Sequence, residues 1–146
     1  MKDLANNIQV KRAISPIRVS DNTAQVSQII DRQGYDSLTF LIACGTLADS
    51  NATFAALLEE ADESDFSDGA GVADADIISQ LVGESPEAAA SFQFDDDDEV
   101  RKLGYVGAKR YTRLTITPAG NTGNADIAAI AVLGHPNLGP VVQDAA

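Results

Sequence analysis

The sequence predicts an all-β fold: an antiparallel β-sandwich, jelly-roll-like, of about 7–9 strands with one short helix near 74–82. Three observations lead there. Apolar and polar residues alternate along run after run, turn formers break the runs every 8–20 residues, and aromatics are few (five Phe, three Tyr, no Trp). A core short of large rings must be filled by Ile, Val, Leu and Ala, whose compact side chains suit closely packed sheets. A chain of 146 residues can bury one such core and is most simply one domain.

In chain order, residues 1–22 form an N-terminal arm and first strand. Residues 23–135 hold the sandwich core with an acidic loop or helix insertion at 59–90, and 136–146 are an extended or mobile tail. Thr23–Asp31 turns Ala24, Val26 and Ile30 to one side and Thr23, Gln25 and Ser27 to the other. In Asp36–Gly45, Leu38, Phe40, Ile42 and Cys44 make one apolar face, and Thr53–Glu60 repeats the pattern with Phe54, Ala56 and Leu58. Phe92 and Phe94 begin a short strand that Asp95–Asp98 ends, and Leu103–Val106 resumes beyond that turn. Lys109–Thr117 directs Thr112, Leu114 and Ile116 inward. Ile127–Leu133 is apolar on both faces, as expected of a central strand covered on both sides.

The connections read as turns: Ser20–Asn22, Arg32–Gly34, Ala48–Asn51, and Pro118–Asn124 as a hairpin loop. The exception to period two is the stretch 62–90. Ser64–Gly71 reads as an exposed acidic loop. In Asp74–Gly83, Ile77 with Leu81 and Ile78 with Val82 fall at helical spacing between an N-cap Asp74 and a C′ Gly83. The alternative there is a strand preceded by a long loop.

Charge is unevenly distributed. From Gln33 to Val100 there are seventeen carboxylates and no cation, whereas the flanks carry ten cations against five acids, for a net of −12. Such a chain suits a protein that docks one face on a partner and shows the other to water. It does not suit a nucleic-acid binder, whose cations must outnumber its acids along the phosphate track. The first residues lack a secretory h-region, and the apolar runs are too short to span a bilayer, so no membrane partner is expected.

Reactive groups are sparse. His135 is the only histidine and Cys44 the only cysteine, which leaves no disulfide, no usual zinc ligand set and no catalytic triad. Asp95–Glu99 and Asp62–Asp68 are acid-rich, but neither has the spacing of an EF-hand, so both read as solvated loops, the first as a hairpin tip. Gly69 and Gly71 lack the Lys-Thr or Lys-Ser of a phosphate loop. On Lys109–Arg113, Lys109 and Arg113 share a face with Tyr111 while Arg110 points away. The expectation is therefore no catalytic residue, no metal and no cofactor.

Several segments carry a resemblance. They are Ala13–Pro16, Ile29–Phe40, Gly104–Pro118, Asn121–Asn124 and Ala129–Pro136. Together they resemble small structural proteins of tailed bacteriophages and prophages, encoded among the head genes. The resemblance implies a non-enzymatic virion protein of the capsid surface, made in the bacterial host cytoplasm. In that reading it is a decoration (cement) protein with a β-sandwich core that binds the major capsid protein as a dimer or trimer. Charge and position put Lys11, Arg12 and Arg18 on the docking side. Two other readings remain: a tail-tube, head–tail connector or fibre-base protein, and a carbohydrate-binding sandwich. The strand Arg110–Thr117 also resembles those of discoidin-like domains.

Overall fold

A computed structural model describes residues 2–79 and 85–144. The alternating runs become two antiparallel sheets packed face to face. The first holds β1 (Ile8–Val19), β11 (Ala125–Pro136), β4 (Tyr35–Leu47), β9 (Val100–Tyr105) and β7 (Ile77–Ser79), in that spatial order. The second follows the order β2 (Gln25–Val26), β10 (Tyr111–Ala119), β5 (Thr53–Ala61) and β6 (Ala70–Gly71). There β3 (Ile30–Asp31) also pairs with β10, and β8 (Phe92–Gln93) with β5. The predicted sandwich is thus what forms. Its core is Phe40, Ile42, Leu38, Leu103 and Leu133 from one sheet against Phe54, Leu58, Leu114 and Ile116 from the other, all at most 2% exposed. Each such side chain contributes about 1.5–3 kcal/mol by leaving water.

Nearly every connection crosses between sheets, as in a jelly roll; of those described, only β5 to β6 is a hairpin within one sheet. This corrects two expectations. Residues 118–124 are not a hairpin loop, because β10 and β11 lie in opposite sheets. The same is true of 95–98 between β8 and β9, so those acids sit on a sheet-to-sheet crossing rather than a hairpin tip. Local sequence marks a turn equally well in both cases. Which sheet the next strand joins is decided by long-range pairing.

Three crossings are bound together at one end. Asn121, 2% exposed, donates through Nδ2 to the carbonyls of Asp21 (3.1 Å) and Val19 (3.4 Å). Asp49 accepts from Thr122 N (2.8 Å) and Oγ1 (2.7 Å). Gly120 sits at φ 65°, where a Cβ would come within 2.9 Å of the Asn51 carbonyl, so the tight crossing requires glycine.

Three further expectations change. Asp74–Asp76 is a 3-10 turn and Ile77–Ser79 a strand, so the alternative reading of 74–79 is the one observed. The 80–83 part of that expectation falls outside the described residues. Pairing Ile77 with Tyr105 buries one isoleucine in the sheet, which outweighs a helical spacing that offers no sheet contact. The short helix is α1 (Pro86–Ala90). Val26 is 53% exposed, not inward, although Ile30 is fully buried. Between the pairs Thr115/Val26 and Thr112/Ile30, three steps on β10 face four on the other strand, and the extra residue reverses the facing. Ser27 fills that bulge, exchanging hydrogen bonds with the backbone of Leu114.

Two sheet edges are occupied, that of β1 and part of that of β5. Along β1, Gln28 N and Nε2 donate to the carbonyls of Ala13 and Arg12, and Pro16 has no N–H to offer. The C-terminal tail continues the cover: Val141 N donates to Asn6 O (2.8 Å), and Gln143 brackets Val10. The described part of the tail is thus hydrogen-bonded to Asn6 and to β1. Between β6 and β8 on the β5 edge, Glu87 Oε1 accepts from Leu58 N (2.7 Å) and Ser91 Oγ from Ala56 N (3.0 Å). Helix α1 and its C-cap Ser91 therefore supply, by side chains, acceptors that a neighbouring strand would otherwise provide.

Candidate functional site

The outer face of the five-stranded sheet carries a group of apolar residues that the described residues do not cover. Strand register lines its residues up in rows. One row runs Val10, Val132, Thr39, Gly104, Ile78; the next Arg12, Ile130, Leu41, Lys102; the next Ala128, Ala43, Val100. Ile130 is 44% exposed, Ile78 58% and Val100 61%. β11 is central in its sheet, as predicted, but covered on one face only, which corrects the expectation of cover on both sides. Its apolar outer residues were legible in the sequence; that they lack a layer above them was not.

Two shallow grooves cross this face. One, about 540 Å³, runs between Ile17 and Arg18 on one wall and Ala43, Gly45 and Ala128 on the other. The second, about 560 Å³, lies at the opposite end among Leu4, Ile8, Val132, Gly134 and His135. In it His135 Nδ1 lies 2.9 Å from Ser37 Oγ, with φ 51° at the histidine. Among the described residues, no group of three or more His, Cys, Asp or Glu could hold a metal ion. Nor is any helix there long and apolar enough to cross a membrane.

The three cations assigned to docking share β1 but not one environment. Arg12 is exposed and donates to Ser15 Oγ (2.7 Å). Arg18 forms a two-pronged pair with Asp126, 2.7 and 2.9 Å, which lowers the Asp126 pKa and raises that of Arg18. Lys11 is half-buried on the opposite side of the strand from Arg12, near enough to Asp31 for its charge to help lower that carboxyl. Arg12 and Arg18 therefore rim the face, and Lys11 does not.

The separation of charge along the sequence does not survive folding as two opposite sides. Pairing β10 with β5 brings Arg113 to Glu59 (3.0 Å), and Lys109 reaches Asp62. Arg101 meets Asp96 (3.0 Å) and Glu99. Arg110 pairs with Asp31, which holds that carboxyl below its ordinary value. Because β10 begins at Tyr111, Arg110 is free of strand alternation and lies over the Tyr111 ring at 5.0 Å rather than pointing away from it. Acid loops are satisfied internally: Asp68 accepts from the backbone N–H of Asp62 and Glu63, Asp49 from Asn51, and both titrate low as a result.

These depressed carboxyls predict a pH dependence. Their folded pKa lies below the unfolded 3.8, so their stabilisation is present above that value and is lost as pH falls through the folded pKa. The melting midpoint should drop between about pH 6 and about pH 3. Equal midpoints would show that these bonds contribute nothing to folding.

Aromatic rings offer little to stack on. Phe40, Phe54, Phe92 and Tyr105 are buried, and Phe66, 8% exposed, lies beneath Arg113 at 4.4 Å. Tyr35 packs on the core, Tyr111 is covered by Arg110, and Phe94 alone among the large rings reaches 40% exposure. The Tyr105 hydroxyl donates to Glu60 (2.5 Å), and burial raises its pKa. Cys44 donates to the carbonyls of Asp96 and Glu99, and its thiol pKa is likewise raised by burial.

No protein-family model matches this sequence, and no curated protein does. Solved structures match in architecture. The CBM22-1–GH10 modules of Clostridium thermocellum endo-1,4-β-D-xylanase 10B, complexed with xylohexaose, superpose with a TM-score of 0.51 at 12% identity. The match covers 94% of this chain but only 26% of that one. The C-terminal family 22 carbohydrate-binding module of the same enzyme gives 0.45 at 12% identity, over 97% of this chain and 92% of that one. The xylan-binding module CBM15 gives 0.41 at 12%, over 93% and 95%. Identity this low shows a shared fold in the first case and says nothing of ligand.

Proposed function

We propose that this chain is a structural, non-catalytic virion protein that coats a bacteriophage head and stabilises its lattice, as a decoration or cement protein does. One observation carries the reading: one sheet of the sandwich, its β1 edge occupied, retains an apolar face that the described residues leave open. A soluble protein rarely leaves so continuous an apolar face without a partner. The resemblance of five sequence segments to phage head proteins supplies the kind of partner, the major capsid protein. Stabilisation is then mass action, since a protein that binds only the assembled shell shifts the equilibrium toward it. Many copies on one lattice reinforce one another through avidity.

A sugar-binding role has the fold of the xylanase modules behind it, but apart from Phe94 the rings that sugars could stack on are buried, packed on the core or covered by arginine. The test is to add the purified protein to heads isolated from an induced culture of the strain carrying its gene. Co-sedimentation and regular surface density in cryo-electron micrographs are expected. Bare heads at saturating protein would remove the head-coating role, and a specific hit on a glycan array would favour the sugar-binding one.

A further inference from the structure

We infer that the outer face of the five-stranded sheet, centred on Ile130 and Leu41, is the docking surface, and that it fits an apolar protein patch rimmed by carboxylates. The identity of the partner as a capsid shell rests on the function proposed above; the choice of face does not. A strand run apolar on both sides belongs between two layers. Here the described residues supply one layer and leave Ile130 44% exposed on an interior strand. With the β1 edge occupied by the tail and Gln28, and part of the β5 edge by α1 and Ser91, strand addition is closed off at those edges, which favours a face-to-face contact.

Charge selects the occupant. The row Arg12, Ile130, Leu41, Lys102 places a cation at either end of the apolar pair, and Arg18 neutralises Asp126 nearby. Among the described residues of these rows and grooves, Arg12, Arg18 and Lys102 stand against Asp126 and Asp36, on a chain with ten cations and twenty-two acids. A second copy meeting this face through its own would set cations against cations while bringing two bodies of net −12 together. A carboxylate-rimmed apolar patch has the complementary pattern and would be steered onto the face.

The experiment uses three variants with isolated heads as the probe. Ile130→Glu puts a charge in the centre of the face, and Arg12→Glu reverses its rim. Leu57→Glu alters a residue of matching exposure, 41%, on the outer face of the other sheet. Expected are wild-type occupancy for Leu57→Glu, a loss of tenfold or more in affinity for Ile130→Glu, and a several-fold loss for Arg12→Glu. Arg12 is exposed, so that variant folds even if Ile130→Glu does not, which the melting curves will report. If the wild type coats heads and Arg12→Glu and a folded Ile130→Glu coat them equally well, the face assignment falls and the head-coating role stands. If the wild type leaves heads bare, the role itself falls, and the partner named here falls with it.

Discussion

Leu114→Asp should leave no cooperatively folded domain at 25 °C. Leu114 is fully buried at the middle of β10, directly opposite Leu58 on β5. The substitution forfeits about 1.5–3 kcal/mol of apolar burial. It also places a carboxylate between two sheets, with an effective desolvation cost of several kcal/mol. Domains of this size are stable by about 5–15 kcal/mol in total, so the two effects together consume most or all of the margin. Urea titration followed by circular dichroism is the check. A sigmoidal transition near that of the wild type would mean that β10 presents its other side to the core.

Phe54→Ala is expected to cost about 3–5 kcal/mol, the range for emptying a buried aromatic site. Phe54 is 1% exposed, and its ring stacks on Phe92 with centroids 4.9 Å apart and planes 11° from parallel. That stack contributes about 0.5–1.5 kcal/mol beyond the buried area. It is also a main anchor of β8, whose only two residues pair with Thr53 and Phe54. The urea midpoint should fall with the slope unchanged, and amide exchange at 92–93 should quicken more than elsewhere. A loss under about 1 kcal/mol would show that the site collapses around the smaller side chain.

Strand phase was the most legible property. Phe40, Ile42, Leu58, Leu114 and Ile116 face the core where alternation placed them, because one residue's step in a strand always reverses its side. The phase failed at Val26, where a bulge inserts an extra residue that only the facing strand reveals. It also failed at Ile77, where a three-residue strand is too short to show a period. Turn composition located breaks at Asp95–Asp98 and within Pro118–Asn124, although Pro118 and Ala119 still belong to β10, yet a break within a sheet and a crossing between sheets use the same residues.

The candidate face was half visible. Ala128, Ile130 and Val132 announced an apolar second side to β11, but a covered side and an open one have identical sequences. Only the absence of a layer above Ile130, seen once the rest of the chain is placed, separates them. Arg12 and Arg18 were picked out by charge alone, while Leu41, Ala43 and Ala128 carried no signal beyond being small or apolar.

The sequence by itself determined an all-β sandwich, its inward-facing residues and the scarcity of reactive groups, since these depend on period-two patterning and composition. Which strands are neighbours, where the acids and cations meet, and which apolar face stays open were decided only by the tertiary structure. Pairing between β10 and β5, or β9 and β4, joins residues 50 to 67 positions apart, and that distance along the chain leaves no local trace. Charges segregated in one dimension are therefore brought together in three, and the surface that remains for a partner is whatever the two sheets do not use on each other.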